Sequence, residues 1–340
     1  MRKFTLDSTG RIEYSDEKHV FIKSSPVGIV IKDGCAYPPV SASFDGKTAE
    51  VQYECGSCTL KVEECCGYHK LTVLSAPLNS DGFVFGPYFT TASTFGEILG
   101  AGWYDDGAVS CIQSLMPKVA GGVKNAVRDD RTGMKLSERT TAAASVDGVV
   151  SLQCSVLNLS EDGLFDFNGM KDAIRLAVPG PDGKIEGAAV ALIGTESAES
   201  LLEIISGMEA VEGMPHPTYK GCYAKTDRRV SSYYLIFSGS GMTDEERIEL
   251  AGRAGIHCVY FSDVFGSWGH FTLNEQAYPG GFSTLKKLSE KADACDVTIG
   301  AHTLSNFIHT HDAFVTPIPH KKLLVMDKTT LTKPLSEGET

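Results

Sequence analysis

The fold of the C-terminal third is decided by the stretch "IHCVYFSDVFGSWGHF", which runs from Ile256 to Phe271. A short apolar run rich in β-branched and aromatic residues stops at Ser262, and Asp263, Trp268 and His270 follow it closely. Such a run, bounded by polar residues and glycine, predicts a buried strand. The strand is therefore followed by an acid, an aromatic plane and an imidazole.

The segment before this strand predicts another strand and a helix. "SSYYLIFSG" (231–239) is an apolar run, and "TDEERIELAGRAG" (243–255) has the start and stop signals of a helix. Thr243 is the expected N-cap, Glu246 completes a capping box, and Gly255 ends the helix.

The segment after it repeats the alternation. "FSTLKKLSEKADA" (282–294) predicts an amphipathic helix capped by Ser283, and "DVTIGAHTL" (296–304) predicts a third strand. Strand, helix, strand, helix and strand in this order predict a parallel sheet covered by helices. A GxGxxG pattern does not follow the first strand, so dinucleotide binding is not expected.

The N-terminal half has a different pattern. From Arg2 to about Gly194, short runs such as "VGIVIK" and "AEVQYE" alternate with turn sequences such as "KDG" and "GPDGK". These turns supply residues that tolerate positive φ. The pattern predicts an antiparallel β-sandwich, with a helical insert at about 95–100 as an option.

Residues 196–214 contain apolar residues at helical spacing and end at Gly213 and Pro215, which predicts a helix before an extended connector. The predicted fold class is thus multidomain, β plus α/β. The predicted domains are a β-sandwich over 1–195, a linker helix over 196–214, and a partial barrel over 215–340.

Charge and hydropathy exclude several partners. The net charge of −12 argues against nucleic acid and anionic membranes, and no apolar stretch is long enough for a spanning helix. The beginning "MRKFTLDSTGRIEYSDEK" lacks the apolar segment of a signal peptide. As written, the chain is expected in the cytoplasm, and outside it if the N-terminus is incomplete.

The ten cysteines are expected to be free thiols. "CGSC", with Cys55 and Cys58, invites a zinc or redox interpretation, but its flanks alternate like two strands of a hairpin. We favour the hairpin and predict neither a metal nor a cofactor.

Candidate binding residues follow the predicted parallel strands. Asp263, Trp268 and His270 follow one strand, and His302 and then Asp312 follow the next. Functional residues of βα units collect where the strands end. An aromatic plane beside hydrogen-bonding side chains suits a sugar, whose apolar face stacks while its hydroxyls are bound.

Structural interpretations stay open beside this one. Asp263 has the position of a cap, Trp268 that of a packing residue, and His302 that of a histidine bound by backbone groups. The "HTHD" sequence at 309–312 suits either a metal or a polar surface loop. His257 is expected to be structural.

The succession "YLIFSG", "DEERIELAGRAGIHCVYFSD", "W", "YPGGFSTLKKLSEKA" and "VTIGAHT" resembles the opening of the catalytic barrel in glycoside hydrolases of the α-galactosidase type. The counterparts here are Asp263, Trp268, the Tyr278–Phe282 phrase and Ile299-Gly300, and the resemblance covers mainly residues 215–310. "GHF" after the tryptophan and "AHTLSNF" depart from that pattern.

The resemblance implies a sandwich followed by a barrel, and a carbohydrate site in which Asp263 binds sugar hydroxyls. The nucleophile and acid/base carboxylates of that family lie on later barrel strands. A complete (β/α)8 barrel takes roughly 250 residues. The predicted barrel portion, residues 215–340, is about half as long as that. We therefore expect an incomplete barrel in an N-terminal fragment, with an open sheet as the alternative and "KLLVMD" (322–327) as one further strand.

The predicted function is carbohydrate-active, with glycosidic-bond cleavage as the expected reaction. Asp263 and Asp312 are the carboxyls of the barrel portion, and neither is assigned as catalytic. "GWYDDG" (102–107) is either a wall of the site or a tight turn. One alternative is a polysaccharide lyase using His270, His302 and Tyr278, and another is a non-catalytic sugar-binding or structural protein.

Overall fold

The computed structural model describes residues 2–97, 100–122, 127–128, 135–136, 141–167, 170–175, 177–227, 234–236, 241–303 and 308–320. The chain divides into two compact units. The first comprises residues 1–163 and 176–216, and the second comprises residues 164–175 and 217–340.

Strands dominate the described residues. In chain order they are β1 Lys3–Leu6, β2 Arg11–Ser15, β3 Val20–Pro26, β4 Ile29–Lys32, β5 Cys35–Tyr37, β6 Ser41–Phe44, β7 Thr48–Tyr53, β8 Gly56–Glu64, β9 Tyr68–Ser75, β10 Gly82–Phe89, β11 Thr94–Gly96, β12 Ala101–Trp103, β13 Val109–Ser114, β14 Val119–Gly121, β15 Val127–Arg128, β16 Lys135–Leu136, β17 Ala143–Val146, β18 Val149–Leu157, β19 Gly163–Phe167, β20 Met170–Arg175, β21 Ala189–Thr195, β22 Thr218–Tyr219, β23 Cys222–Tyr223, β24 Tyr234–Ile236, β25 Cys258–Phe261 and β26 Thr298–Ala301. The α-helices are α1 Ala198–Glu212, α2 Asp244–Ala254 and α3 Phe282–Ala294, and Gly180–Gly183 forms a 3-10 turn.

Two antiparallel sheets form the body of the first unit. One has the order β11-β12-β13-β21-β9-β8-β7-β6, and the other has β14-β18-β10-β4-β5 with β17 beside β18. Side chains from both sheets share one buried cluster, which includes Leu71 and Val73 from the first sheet and Phe83 and Leu152 from the second. The predicted antiparallel β-sandwich is confirmed.

Helix α1 covers the outer face of the larger sheet. Its buried residues Leu201, Ile205 and Met208 pack in one cluster with Ala191 and Ile193 of β21. Ser197 caps its start by accepting from the Ser200 N–H, and Gly213 ends it in the left-handed conformation. The segment predicted as a linker helix is thus packed on a sheet, and the predicted domain limits stay a prediction.

Two further sequence expectations concern the first unit. The helical insert at about 95–100 is wrong for the described residues there, because Thr94–Gly96 and Ala101–Trp103 pair as antiparallel strands. The Trp103 ring lies where a side chain on Gly96 would be, 2.6 Å from a Cβ built there, so the glycine lets the ring cover the β11–β12 hairpin.

The "CGSC" hairpin is confirmed, since β7 and β8 pair from Thr48–Lys61 to Tyr53–Gly56. Burial raises the pKa of the Cys58 thiol to about 12, so this thiol is unreactive.

The second unit contains the predicted alternation of strands and helices. β24, β25 and β26 form a parallel sheet in that order, with Val259 opposite Leu235 on one side and Ile299 on the other. Ile248 of α2 and Leu288 of α3 are buried with these strands in one core. The described residues thus form three parallel strands joined by two helical crossovers, and the barrel itself stays a prediction. The "KLLVMD" strand lies outside the described residues.

The helix starts are set by different residues. Helix α2 has the predicted capping box between Thr243 and Glu246 and ends at Gly255 in the left-handed conformation. Helix α3 spans the predicted residues 282–294, but its N-cap is Gly281, two residues before the predicted Ser283. Gly280 and Gly281 both have positive φ and turn the chain into the helix, and the Ser283 hydroxyl donates to the Gly280 carbonyl at 2.8 Å. Within the described ranges, no helix is long and apolar enough to cross a membrane.

Lys118 ties two segments of the first unit together. Its ammonium donates to the backbone carbonyls of Pro181, Lys184 and Glu186 at 2.9, 2.9 and 2.6 Å. Three carbonyls around one ammonium satisfy all its donors, so the side chain closes the loop before β21.

Replacing Lys118 by methionine is expected to lower the free energy of unfolding of the first unit by about 1–2 kcal/mol, because three charged hydrogen bonds are lost. Urea unfolding followed by far-ultraviolet circular dichroism measures the change. Lys61→Met is the matched control, since Lys61 forms an exposed pair with Glu63 and should cost at most about 0.5 kcal/mol. Equal losses in the two variants would contradict this role of Lys118.

Candidate functional site

The site lies at the edge of the parallel sheet where β25 and β26 end, here called the carboxyl edge. Phe261 pairs with Ala301, so the residues that follow both strands leave the sheet on the same side. Asp263 lies in the turn after β25 and His302 directly follows β26, and both residues are exposed. The rings of Tyr260 and His302 are 6.2 Å apart. The parallel register thus brings polar residues from two strands to one edge.

A folded-back loop carries Trp268 and His270. Phe265 and Leu273 form an isolated antiparallel bridge, and the Gly266 N–H donates to the Thr272 carbonyl at 2.9 Å. The backbone between these pairs therefore forms a loop that leaves the sheet and is closed at its base. Trp268 and His270 lie within this loop.

Asp312 is the central acceptor of the site. Its carboxylate accepts from the Ser267 hydroxyl at 2.7 Å, from the backbone N–H groups of His270 and Phe314 at 2.9 Å each, and from His270 Nδ1 at 2.6 Å. The residue is only 3% exposed. One buried carboxylate therefore holds residues 267–270 against residues 312–314.

These donors also govern the ionisation of Asp312. Burial alone would raise the pKa of its carboxyl, but the N–H groups of Phe314 and His270, the Ser267 hydroxyl and the His270 imidazole outweigh it. The net effect holds the pKa of Asp312 well below its usual range. Asp312 is consequently an anion at neutral pH, and its lone pairs are already engaged.

Gly269 is required by this packing. A Cβ built on Gly269 would lie 2.6 Å from the Asp312 Cγ, and the residue has a φ of +127°. Only glycine adopts this backbone conformation without strain, and only glycine leaves room for the carboxylate.

The contact with Asp312 orients the His270 ring. An ionised carboxylate can only accept, so Nδ1 of His270 carries the hydrogen and Nε2 is the acceptor of the neutral ring. The ring stacks on Phe314 with centroids 4.0 Å apart and an interplanar angle of 22°. The side chain is 46% exposed. His270 is therefore an oriented imidazole that solvent or a ligand can reach.

Trp268 is the centre of a row of rings. Its indole stacks on His309 at 5.2 Å and 8°, and lies 6.4 Å from His302. The backbone N–H of Trp268 donates to His309 Nδ1 at 3.1 Å, and the backbone N–H of His309 donates to the Trp268 carbonyl at 2.9 Å. His311 follows at 4.8 Å from His309. The plane of the indole is thus fixed from one side by a stacked and hydrogen-bonded histidine.

The five predicted site residues fall into two pairs and one separate residue. Trp268 lies beside His302, and His270 is bonded to Asp312. Asp263 is near Tyr278, whose pKa is raised by burial, by the carboxylate and hydrogen bond of Asp244, and by the charge of Asp263. Tyr278 is only 3% exposed.

Sequence reasoning missed several contributors to the site. Ser267, Gly269 and Phe314 all contact or make room for the His270–Asp312 pair, and His309 was expected only in a polar loop or as a metal ligand. A glycine between Trp268 and His270 was the one available signal.

The "GWYDDG" segment forms a turn in the first unit, where the Gly107 N–H donates to the Tyr104 carbonyl at 3.0 Å and Asp106 contacts His19 at 2.7 Å. Among the described residues, no three His, Cys, Asp or Glu side chains are grouped to hold a metal ion.

No family model and no curated protein matches this chain. Among solved structures, similarity was found to a GH31 family sulfoquinovosidase from E. rectale in complex with an aza-sugar inhibitor, at 8% identity and a TM-score of 0.34 over 88% of this chain and 48% of that chain. A GH31 dextranase mutant from Flavobacterium johnsoniae complexed with isomaltotriose was found at 9% identity and a TM-score of 0.21, over 88% and 38% of the two chains. The chain spans less than half the length of both structures. TM-scores this low support no inference about this chain.

Replacing Gly269 by alanine is expected to lower the free energy of unfolding of the second unit by about 2 kcal/mol or more, from backbone strain plus the clash with Asp312. Gly255→Ala is the matched control, because Gly255 also has a positive φ but nothing lies within 4 Å of an added Cβ. It should cost about 1 kcal/mol. Both substitutions are made in the Trp103→Phe protein, so that Trp268 is the only tryptophan. Urea unfolding followed by Trp268 emission then gives the free energy of unfolding of each variant. A loss at Gly269 no larger than at Gly255 would refute the contact with Asp312.

Acid should weaken the second unit through Asp312. Because the pKa of this carboxyl is lower in the folded state than in the unfolded state, its stabilisation is fully present above about pH 3.9 and is lost as the pH falls from there through the folded pKa. The free energy of unfolding of the wild type should therefore fall more steeply on the acid side than that of Asp312→Asn. Denaturant titrations at a series of pH values measure both slopes, and parallel slopes would count against this ionisation.

Proposed function

We propose that the carboxyl edge binds carbohydrate, and that the chain is a carbohydrate-active protein of the glycoside hydrolase type. The observation that carries this proposal is the indole of Trp268, held against His309 and lying 6.4 Å from His302, at the edge that also exposes Asp263. An aromatic plane with polar groups around it suits a pyranose ring, which has apolar C–H faces and hydroxyls at its rim.

The fixed orientation of the rings supports this proposal further. A ligand that stacks on an indole already held in one plane does not have to immobilise that side chain, so less entropy is lost on binding. His270 contributes an oriented Nε2 acceptor for a hydroxyl, and Asp263 contributes an exposed carboxylate. We assign Asp263, Trp268, His270 and His302 to substrate contact.

Asp312 acts through other residues in this proposal. It is buried and accepts four hydrogen bonds, so we assign it the positioning of His270 and of the Trp268 loop rather than direct contact with a sugar. Glycoside hydrolysis normally needs two carboxyl groups flanking the bond. A carboxylate whose pKa is held low and whose lone pairs are occupied is a poor acid or base, and we name no catalytic carboxyl.

The finer proposal follows the resemblance in the sequence. A β-sandwich ahead of a partial (β/α)8 barrel over residues 215–340 agrees with the α-galactosidase type, and the parallel order β24-β25-β26 supports it. In that arrangement Asp263, in the turn after β25, binds sugar hydroxyls.

The His270–Asp312 pair favours a second candidate function, that of a polysaccharide lyase. His270 Nε2 would take the proton next to a uronate carboxyl, and the electron pair left behind would form a double bond as the glycosidic oxygen departs with a proton from a second group. Tyr278 is a poor choice for that second group, because it is buried and hydrogen-bonded to Asp244.

Sugar binding to the full chain tests the first proposal. Isothermal calorimetry with a panel of neutral oligosaccharides should give a saturable response that weakens about tenfold or more in Trp268→Leu and in Asp263→Asn. Melting temperatures should stay close to that of the wild type. Asp105→Asn, at an exposed acid of the first unit, is the matched control and should bind normally.

Two results would overturn the proposal. Unchanged affinity in both Trp268→Leu and Asp263→Asn would remove the carboxyl edge as the site, and no binding of any oligosaccharide would remove carbohydrate as the ligand. A product with a conjugated double bond from a uronate polymer, lost in His270→Gln, would favour the lyase over the hydrolase.

A further inference from the structure

A cavity of about 240 Å³ opens in the first unit, on residues that the proposed carbohydrate edge does not use. Its lining combines the rings of Phe4 and Phe44 with the imidazole of His69 and the charged side chains of Arg2 and Glu64. Aromatic walls with a few polar groups are the usual composition of a small-molecule site.

His69 occupies a position where the pattern of its strand calls for an apolar residue. Along β9, His69 shares one face with Leu71 and Val73, both of which are fully buried in the sandwich core. His69 itself is only 7% exposed, and Glu64 lies opposite it on β8. A leucine or phenylalanine would fill this position without a polar atom to satisfy.

The imidazole is not satisfied within the described part of the protein. Its Nδ1 is buried without a hydrogen-bond partner there. The ring stacks on Phe4 at 5.8 Å and 19°, and meets the edge of Tyr14 at 5.3 Å. Burial lowers the pKa of His69 in spite of the nearby Glu64, so the ring is neutral at pH 7 and has both a donor and an acceptor nitrogen. An unsatisfied imidazole costs stability that an apolar side chain would not, and here it stands in the wall of a cavity, which favours a role for the ring in that cavity.

The charges around the cavity do not select for an anion. The Arg2 guanidinium donates to the Glu196 carboxylate at 2.8 Å and to the Gly194 carbonyl at 2.7 Å, so its charge is already balanced. Lys3 also belongs to the lining, and the Glu64 carboxylate in the same lining offsets its charge. Glu64 contributes an exposed acceptor.

We propose that this cavity is a second carbohydrate site, which binds the ring of one neutral monosaccharide, with its apolar face against Phe4 and Phe44 and its hydroxyls on His69 and Glu64. The volume is below the roughly 300–1,000 Å³ of pockets for larger ligands, so a single sugar ring is the matching size. Neutral imidazole and carboxylate groups supply the donor and acceptors that hydroxyls require. This site does not depend on the proposed function of the carboxyl edge.

The test uses the full chain with ¹⁵N-labelled histidine. Methyl glycosides of glucose, galactose and mannose are titrated while the ring nitrogens of His69 are followed by NMR, with inorganic phosphate and acetate as anionic probes. His69→Phe identifies the resonances. At least one glycoside is expected to change the chemical shifts of the His69 ring nitrogens in a saturable way. Phosphate and acetate are expected to leave these shifts unchanged.

Two variants assign the binding to this cavity. His69→Phe keeps a ring against Phe4 and removes the unsatisfied nitrogen, so it should fold with an unchanged or higher melting temperature and lose affinity about tenfold or more. Glu64→Gln changes an exposed residue and should weaken binding without affecting folding, which keeps the proposal testable if His69→Phe does not fold. Trp268→Leu should leave the His69 shifts intact, so failure at one site is distinguishable from failure at the other.

Several outcomes would overturn the proposal. The His69 nitrogen shifts would not change with any of the glycosides, or they would change only with phosphate or acetate. Equal glycoside affinity in the wild type and in Glu64→Gln would also overturn it.

Discussion

The second unit depends on one buried carboxylate. Asp312 accepts hydrogen bonds from a hydroxyl, an imidazole and two backbone N–H groups, and these donors belong to two chain segments that lie more than forty positions apart in sequence. Removing a carboxylate from water is unfavourable unless its lone pairs are filled, and here the four donors fill them. The Trp268 loop must therefore keep its position, because displacing it would leave the buried anion without three of its four donors.

This requirement explains the order of the carboxyl edge. The parallel pairing of β25 and β26 brings Asp263 and His302 to one side of the sheet. Hydrogen bonds to Asp312 then hold the loop that carries His270, and the stacking on His309 fixes the Trp268 plane. Trp268 and His270 are thus oriented before a ligand arrives, so binding energy is not spent on ordering these two side chains. A sugar-binding edge and a proton-transferring imidazole both need this kind of preorganisation.

Local rules predicted most of the architecture from sequence. The capping box of Thr243 and Glu246, the β7–β8 hairpin and the alternation of strands and helices depend on neighbouring residues, and all were predicted. The cap of α3 was misplaced by two residues, because Gly280 and Gly281 turn the chain into the helix before Ser283. The site was predicted only in part, because Asp312 and His270 are joined by a contact that no local pattern encodes. The same holds for His69, whose burial depends on β1 and β2 packing over β9.

The most direct test of the central claim uses the emission of Trp268. The chain has two tryptophans, so Trp103→Phe leaves Trp268 as the only one, and its fluorescence reports on a sugar stacked against it. Titration of that variant with a neutral oligosaccharide should give a saturable change, and adding Asp312→Asn should weaken the affinity about tenfold by releasing the loop. An emission that does not change with sugar, or that saturates identically with and without Asp312→Asn, would contradict the account.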